Sequence, residues 1–359
     1  MSRRHPMRPR TESIRGPRAL GGVGDARGMT HPRVSLPGLA ALLLLLGCAP
    51  RAALREASPW MDPAAHRVGS VRVGEDVALE YLDFGGQGAP VVLLAGLGNT
   101  AHIFDDYAPR LTDTFHVVAL TRRGFGASSR PAAGYDLRTR VEDLRQALEA
   151  LHLDKVSLVG HSVAGDELTA FAGAYPERVH KLVYLEAAYD HPAIDAAVRD
   201  APALPPPTPE DLASPRAFQA WQARLQGITI PESEVRASNV FAPSGQWTED
   251  ATPPFVYEQL SQGNAAPDYS RVHAPVLAYY VVEESADIVQ PWVARLDAPA
   301  REQALGVLAS LKVVGTEARS RLQRQLPAAG VVELRGTHHY FFLTHSEVTS
   351  EVRAFLLAP

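Results

Sequence analysis

The chain has 359 residues, hydrophobic residues at 46% of positions and a formal net charge of −5 at pH 7. Its lysines and arginines are spread rather than clustered, so the charge pattern gives no indication of a nucleic-acid-binding surface. The single cysteine, Cys48, excludes an intramolecular disulfide, and without a cluster of cysteines and histidines we expect neither a metal nor another cofactor.

An apolar segment near the N-terminus follows a stretch rich in arginine and proline. It runs from Val34 to Gly47 and contains five consecutive leucines, Leu42 to Leu46. The segment is too short to span a bilayer and follows a basic flank, which predicts a secretory signal over residues 1–47. Met29 is an alternative start, since residues 29–48 alone have the usual length of such a signal, and residues 1–28 would then not be translated.

The end of this segment resembles the lipobox of bacterial lipoproteins, in the residues Leu45-Leu46-Gly47-Cys48. The resemblance implies that Cys48 is diacylated, so that the protein is exported and anchored in a membrane, facing the periplasm or the cell exterior. The alternatives are a buried cysteine beside an ordinary signal, or a plain membrane anchor. Residues 48–65 are predicted to form a tether and residues 66–359 the folded domain.

Strand-like and helix-like segments alternate through that domain, which predicts an α/β fold with a mainly parallel sheet flanked by helices. Strands are predicted at 70–73, 77–84, 91–94, 116–120, 156–159, 181–185, 276–282 and 331–334, and helices at 138–151, 163–175 and 346–357. No strand is evident between about 190 and 273, where proline is dense but Trp221, Trp247, Phe255 and Tyr257 supply apolar surface. We therefore expect an inserted, mostly helical cap there rather than a disordered insertion.

The most informative motif lies at the end of the fifth predicted strand. The run Val156 to Val159 leads into Gly160-His161-Ser162-Val163-Ala164, and a helix follows. A serine between small residues at a sharp turn from strand to helix is exposed as a nucleophile, and the motif is G-x-S-x-A rather than G-x-S-x-G.

Four blocks together resemble an α/β-hydrolase with a cap, from about Val71 to the C-terminus. They are Leu93-Leu94-Ala95-Gly96-Leu97-Gly98, Arg122-Arg123-Gly124-Phe125-Gly126-Ala127-Ser128, the Ser162 turn, and Gly336-Thr337-His338-His339-Tyr340. The resemblance implies an eight-stranded sheet, with Ser162 as nucleophile and His339 as its base. It also implies an oxyanion hole made by the backbone N–H groups of Leu97 and Val163. A metal site at the His338-His339 pair is disfavoured, because no third ligand at suitable spacing is evident.

The third catalytic residue is a carboxylate that orients the histidine, and the sequence leaves three candidates. Glu186 ends the sixth predicted strand, which resembles the acid position of some haloalkane dehalogenases and of Renilla luciferase. Asp287 follows the seventh strand, the commoner position in the family, and fits if a few residues are inserted between that strand and the acid. Glu284 lies at the spacing expected without such an insertion.

Other polar residues near these blocks have less specific interpretations. Asn99, His102 and Asp105 are either substrate contacts or solvated loop residues, and the Arg122 to Ser128 loop is interpreted as structural. Asp166 and Glu167 are interpreted as first-turn acids that favour a helix N-terminus.

The predicted function is hydrolysis of a small or medium carboxylic ester through an acyl-enzyme. Dehalogenases and epoxide hydrolases of this fold use an aspartate nucleophile, whereas this chain has Ser162. The alternatives are hydrolysis of amide, lactone or C–C bonds, perhydrolysis, or a catalytically silent binding or sensing protein of the same fold. The expected partners are a small ester-like molecule and, through the lipid anchor, a membrane, with no nucleic acid; the sequence leaves the oligomeric state open.

Overall fold

A sheet of eight strands forms the centre of the computed structural model, which describes residues 60–282 and 290–359. The strands of the described residues are β1 (Arg67–Arg72), β2 (Ala78–Gly85), β3 (Pro90–Leu94), β4 (His116–Leu120), β5 (Val156–His161), β6 (Val179–Leu185), β7 (Asn239–Phe241), β8 (Trp247–Asp250), β9 (Val276–Val282) and β10 (Gly330–Arg335). The order across the large sheet is β1-β2-β4-β3-β5-β6-β9-β10. The pairs β1–β2 and β2–β4 are antiparallel and the others are parallel, so the sheet is mainly parallel, as the sequence predicted.

Helices cover both faces of this sheet. They are α1 (Leu137–Ala150), α2 (Ala164–Ala174), α3 (His191–Val198), α4 (Pro215–Gln226), α5 (Glu232–Ser238), α6 (Pro254–Gln262), α7 (Ala298–Gln325), α8 (Phe341–Thr344) and α9 (Ser346–Leu357). The bounds of α1, α2 and α9 lie within one residue of the predicted helices. The sequence pattern did not indicate α7, whose 28 residues lie between β9 and β10.

The core has two parts, one on each face of the sheet, because successive strand residues point to opposite sides. Along β3, Val92 and Leu94 belong to one cluster of buried residues, and Val91 and Leu93 belong to the other. A strand buried on both faces is almost continuously apolar, which explains why the central strands were easily predicted.

The segment between β6 and β9 contains four helices and a small hairpin. The hairpin pairs β7 with β8, in the interval where no strand was evident from the sequence. Strands of three and four residues are too short for an alternating pattern to indicate them. The expected helical cap therefore also carries a short β-hairpin.

Contacts with the folded domain begin before residue 66, where the sequence predicted that the tether ends. The ring of Trp60 lies 4.7 Å from the guanidinium of Arg236 on α5, and the ring of His66 lies 5.2 Å from that of Phe84. Residues 60–65, which the sequence analysis placed in the tether, thus include a residue in contact with the cap.

The predicted signal and Cys48 lie outside the described residues, as do Glu284 and Asp287. Among the helices of residues 60–282 and 290–359, none combines the length and apolarity that crossing a bilayer requires.

Replacement of Gly165 tests how closely α2 approaches the loop after β6. A Cβ atom there would lie 1.7 Å from the carbonyl oxygen of Ala187, so the helix or the loop must shift. We expect Gly165→Ala to lower the free energy of unfolding by about 1–3 kcal/mol or more, measured by urea denaturation. Gly306→Ala on exposed α7 is the control, since its Cβ would meet nothing within 4 Å and alanine favours a helix by about 0.5–1 kcal/mol. Equal stability changes in the two variants would contradict this account.

Candidate active site

Ser162 lies at a strained turn between β5 and α2. Its φ is +54°, a left-handed value that is unusual for a residue other than glycine. The turn is held by the Ser162 N–H, which donates to the carbonyl of Leu185 at 3.2 Å, and by the Gly165 N–H, which donates to the carbonyl of Ser162 at 2.9 Å. Gly160 has to be small, since a Cβ there would lie 2.8 Å from the side chain of Leu168.

The two predicted oxyanion residues, Leu97 and Val163, line one cavity with Ser162. Neither backbone N–H takes part in a turn or loop hydrogen bond of the described residues. The loop before Leu97 packs tightly on the nucleophile turn, because a Cβ at Gly96 would lie 3.1 Å from the Cβ of Ser162. Both N–H groups are thus available to a ligand beside the serine.

His339 lines the same cavity as Ser162, and the neighbouring His338 is not among the described residues that line that cavity. The His338 ring lies 6.3 Å from the His345 ring and accepts a hydrogen bond from the Tyr340 N–H at 3.2 Å. Burial, with a smaller contribution from the charges that His191 and His338 carry when protonated, lowers the pKa of His339 to about 4. His339 is therefore neutral at pH 7 and able to accept a proton. Within the described residues, the Ser162 hydroxyl and the His339 ring are not hydrogen bonded; such catalytic contacts often tighten only when substrate is bound.

His161 is a positioning residue that the sequence analysis did not identify. It is fully buried at the end of β5, and its Nε2 lies 3.1 Å from the carbonyl oxygen of His339. The two rings are 4.4 Å apart between centroids. Burial lowers the pKa of His161 well below its usual value, so the ring is neutral and Nε2–H can donate to that carbonyl. His161, the residue before Ser162 in G-x-S-x-A, thus binds the backbone of the loop that carries His339.

Glu186, one of the three carboxylates predicted to orient the histidine, lines the cavity at the end of β6. It has a φ of +52° and its N–H donates to the carbonyl of Tyr279 at 3.1 Å. Its carboxylate accepts hydrogen bonds from the Tyr189 hydroxyl and from the Val281 N–H. The structure therefore brings Ser162, His339 and Glu186 to one cavity, whereas the two other carboxylates lie outside the described residues.

A buried histidine–carboxylate pair lies beside these three residues. Nδ1 of His191, a cavity residue on α3, is 2.6 Å from a carboxylate oxygen of Asp166. Burial raises the pKa of Asp166 and His191 opposes that effect. Asp166 lies in the first turn of α2, as predicted, but its partner His191 was not predicted because it lies 25 residues away on another element.

Glu167, which also lies in the first turn of α2 as predicted, belongs to a buried ion-pair network. Arg122 donates to both of its carboxylate oxygens at 2.6 and 2.9 Å, and Arg140 donates to one at 2.9 Å. Burial raises the pKa of Glu167, but the two guanidinium groups outweigh burial and leave it lowered. Arg122 also donates to the carbonyl of Ala95 at 3.0 Å, which ties this network to the loop of Leu97.

Asn99 is buried rather than solvated. It links the cap to the predicted oxyanion loop, the segment from Leu93 to Gly98. Its amide donates to Glu234 on α5 at 3.1 Å, and its oxygen accepts from the Tyr340 hydroxyl at 3.1 Å. Burial raises the pKa of Glu234 to about 7, although hydrogen bonds from Thr100 and Asn99 oppose it. The cap, the oxyanion loop and the histidine loop are thus connected by one set of hydrogen bonds.

The cavity has a volume of about 370 Å³ and lies between the sheet and the cap. Apolar side chains form much of its wall, among them Ile194 and Val198 of α3. Its size and lining suit a small organic ligand that reaches the Ser162 hydroxyl.

Comparisons with known proteins agree with this architecture. The model of the α/β-hydrolase fold family matches residues 89–254. A human serine hydrolase-like protein is 34% identical over 135 residues, or 37% of this chain and 59% of the relative. A soluble epoxide hydrolase of Corynebacterium sp. is 37% identical over 103 residues, or 28% of this chain and 35% of the relative. Each match thus spans less than two thirds of the relative.

A solved structure, that of an E-2-(acetamidomethylene)succinate hydrolase, superimposes over most of the chain. The TM-score is 0.62 at 19% identity, and the match covers 82% of this chain and 100% of the other. The family model, this structural similarity and the strand order together show that the chain has the α/β-hydrolase fold.

Proposed function

We propose that the protein hydrolyses a small or medium carboxylic ester through an acyl-enzyme on Ser162. The observation that carries the proposal is the shared cavity, in which Ser162 at its left-handed turn faces the same space as the neutral His339 ring. The names of the relatives support it, because those reported above are called hydrolases or hydrolase-like.

In the first half of the reaction, His339 takes the proton of the Ser162 hydroxyl as its oxygen attacks the ester carbonyl carbon. The negative charge that develops on the carbonyl oxygen receives hydrogen bonds from the N–H groups of Leu97 and Val163. The protonated His339 then gives its proton to the leaving alkoxide oxygen, and the alcohol departs. In the second half, His339 takes a proton from a water molecule, whose oxygen attacks the acyl carbon; the bond to the Ser162 oxygen then breaks, His339 returns the proton to that oxygen, and the acid departs.

We assign the carboxylate that orients His339 to Glu186. It lies at the carboxyl end of β6, the strand next to β5, and hydrogen bonds from Tyr189 and Val281 hold its side chain at the cavity. A carboxylate beside the imidazolium stabilises it and raises its pKa, which makes the neutral ring a stronger base.

Labelling with a fluorophosphonate probe tests the nucleophile. We expect the folded protein to be labelled and Ser162→Ala to lose labelling, with turnover of p-nitrophenyl esters reduced by at least about 10³-fold. Ser261→Ala is the matched control, because Ser261 lines the same cavity but donates to Asp195. Labelling of Ser162→Ala would place the nucleophile elsewhere, and a folded wild type without labelling would favour the binding or sensing protein.

The pH profile of kcat/KM tests the carboxylate. The base is neutral His339, so activity falls as the pH falls through its pKa, and removal of the orienting carboxylate moves this acid limb to lower pH. We expect Glu186→Gln to show that shift together with a loss of about 10⁴-fold in kcat. Asp287→Asn and Glu284→Gln are the comparison variants. In both we expect the acid limb of the kcat/KM profile and the value of kcat to be unchanged. A larger loss and shift in either of them would overturn the assignment.

We also propose that the protein is exported and held on a membrane by acylation of Cys48. The support is the leucine-rich segment that ends at this cysteine, since two acyl chains are enough for stable anchoring. In cells fed a clickable palmitate, we expect the wild type to be labelled and to sediment with membranes. Cys48→Ser should lose the label and become extractable without detergent, and an unchanged membrane fraction would contradict the proposal.

A further inference from the structure

A cluster of two histidines and two aspartates lies outside the residues that line the catalytic cavity. Asp62 and His66 come from the segment before β1, and His102 and Asp105 come from the short 3₁₀ turn after β3. The side chains of His66 and Asp105 are only 2% and 3% exposed, and that of His102 is 11% exposed. Two pairs of residues far apart in sequence thus bring four metal-binding side chains together.

Three of these side chains, Asp62, His66 and His102, each offer one donor atom, and the three atoms lie within 4.8 Å of one another. Nδ1 of His102 lies 3.3 Å from an Asp62 oxygen and 3.1 Å from an Asp105 oxygen, and Nδ1 of His66 lies 3.3 Å from the other Asp105 oxygen. Four ligands about 2.0–2.1 Å from a zinc ion are about 3.3 Å from one another. Nε2 of His66 lies 3.7 Å from the same Asp62 oxygen, so Asp62, Nε2 of His66 and Nδ1 of His102 are close enough to share one ion.

Two of the inward-facing atoms have no hydrogen-bond partner. His66 Nδ1 and Asp105 Oδ1 are both buried and, although 3.3 Å apart, are not oriented to bond to each other. Buried polar atoms are nearly always satisfied, so this pair requires an explanation. With Nε2 of His66 on the ion, its Nδ1 carries the proton and faces Asp105, which is the carboxylate contact typical of a metal-bound histidine.

The surroundings also orient the ligands as in metal sites. The hydroxyl of Ser233 on α5 donates to Asp105, and Nε2 of His102 lies 4.0 Å from a carboxylate oxygen of Glu80. A metal-bound histidine typically directs its second nitrogen toward a carboxylate, which sets the tautomer that leaves the other nitrogen free to bind.

We propose that Asp62, His66 and His102, with Asp105 beside them, bind a divalent transition-metal ion of the Zn²⁺ class. Imidazole nitrogens with a carboxylate oxygen suit zinc, and three protein ligands leave the fourth tetrahedral position to a water molecule. The ion ties the segment that precedes β1 to the turn after β3 and, through Ser233, to the cap. This revises the sequence-based expectation that the chain holds no metal.

The competing explanation is that protons occupy the cluster, with one or both imidazoles charged beside the aspartates. Burial lowers the pKa of His102, but Asp105, Glu80 and Glu234 raise it more, and the net shift is upward. Either a proton or a metal ion would place positive charge beside the aspartates, so only a direct measurement of the metal content distinguishes the two explanations.

The test is the metal content of the full-length chain after incubation with ZnCl₂ and gel filtration. We expect one Zn²⁺ per chain, tetrahedral Co²⁺ absorption after exchange, and a fall of at least about 5 °C in Tm when a chelator removes the ion. Reloading the chelated protein with ZnCl₂ should restore the Tm, and this part of the test requires no variant that could fail to fold.

Site-directed variants locate the ion. We expect His102→Ala and the milder Asp62→Asn to lose stoichiometric zinc and the response to the chelator. His116→Ala is the matched control, since His116 forms a 3.0 Å contact with Asp83 outside the cluster and should keep both. Zinc at background level in the folded wild type, or equal loss in His116→Ala and His102→Ala, would overturn the proposal. Neither result depends on esterase activity, so the proposed reaction is judged separately.

Discussion

The site depends on two left-handed backbone turns on neighbouring strands. Ser162 after β5 and Glu186 after β6 have φ values of +54° and +52°, and a non-glycine residue in this region costs about 1–3 kcal/mol. Hydrogen bonds offset that cost, because the Ser162 N–H donates to Leu185 and the Glu186 N–H donates to Tyr279 of β9. Three parallel strand ends thus fix both turns, and the two side chains project into one cavity.

Burial decides the electrostatic state of the groups around these turns. Burial disfavours the charged form of the His161 and His339 rings, so both rings are neutral at pH 7. Glu167 is equally buried, but two arginines keep it ionised. Burial thus leaves a neutral histidine at the cavity, whereas two arginines keep Glu167 ionised, and one of them, Arg122, also binds the carbonyl of Ala95 near Leu97.

The cap is attached to the domain through polar groups as well as apolar packing. Glu234 binds Asn99 and Thr100, and Ser233 donates to Asp105, so α5 contacts the turn after β3 at two adjacent positions. Asn99 in turn accepts from Tyr340, next to His339. A displacement of α5 would therefore disturb the hydrogen bonds to Asn99 and Thr100 and, through Asn99, the hydrogen bond to Tyr340 beside His339.

The sequence alone determined the fold class, the central strands and the turn that carries Ser162. These features depend on local patterns: runs of buried apolar residues, and small residues around a serine. Among the described residues, the partners of polar side chains could not be predicted in this way. His161 and His339 are 178 positions apart, and Asn99 and Glu234 are 135 positions apart. Only the tertiary structure decides such pairs, since they form where distant segments are brought together by the packing of the sheet, the cap and the N-terminal segment.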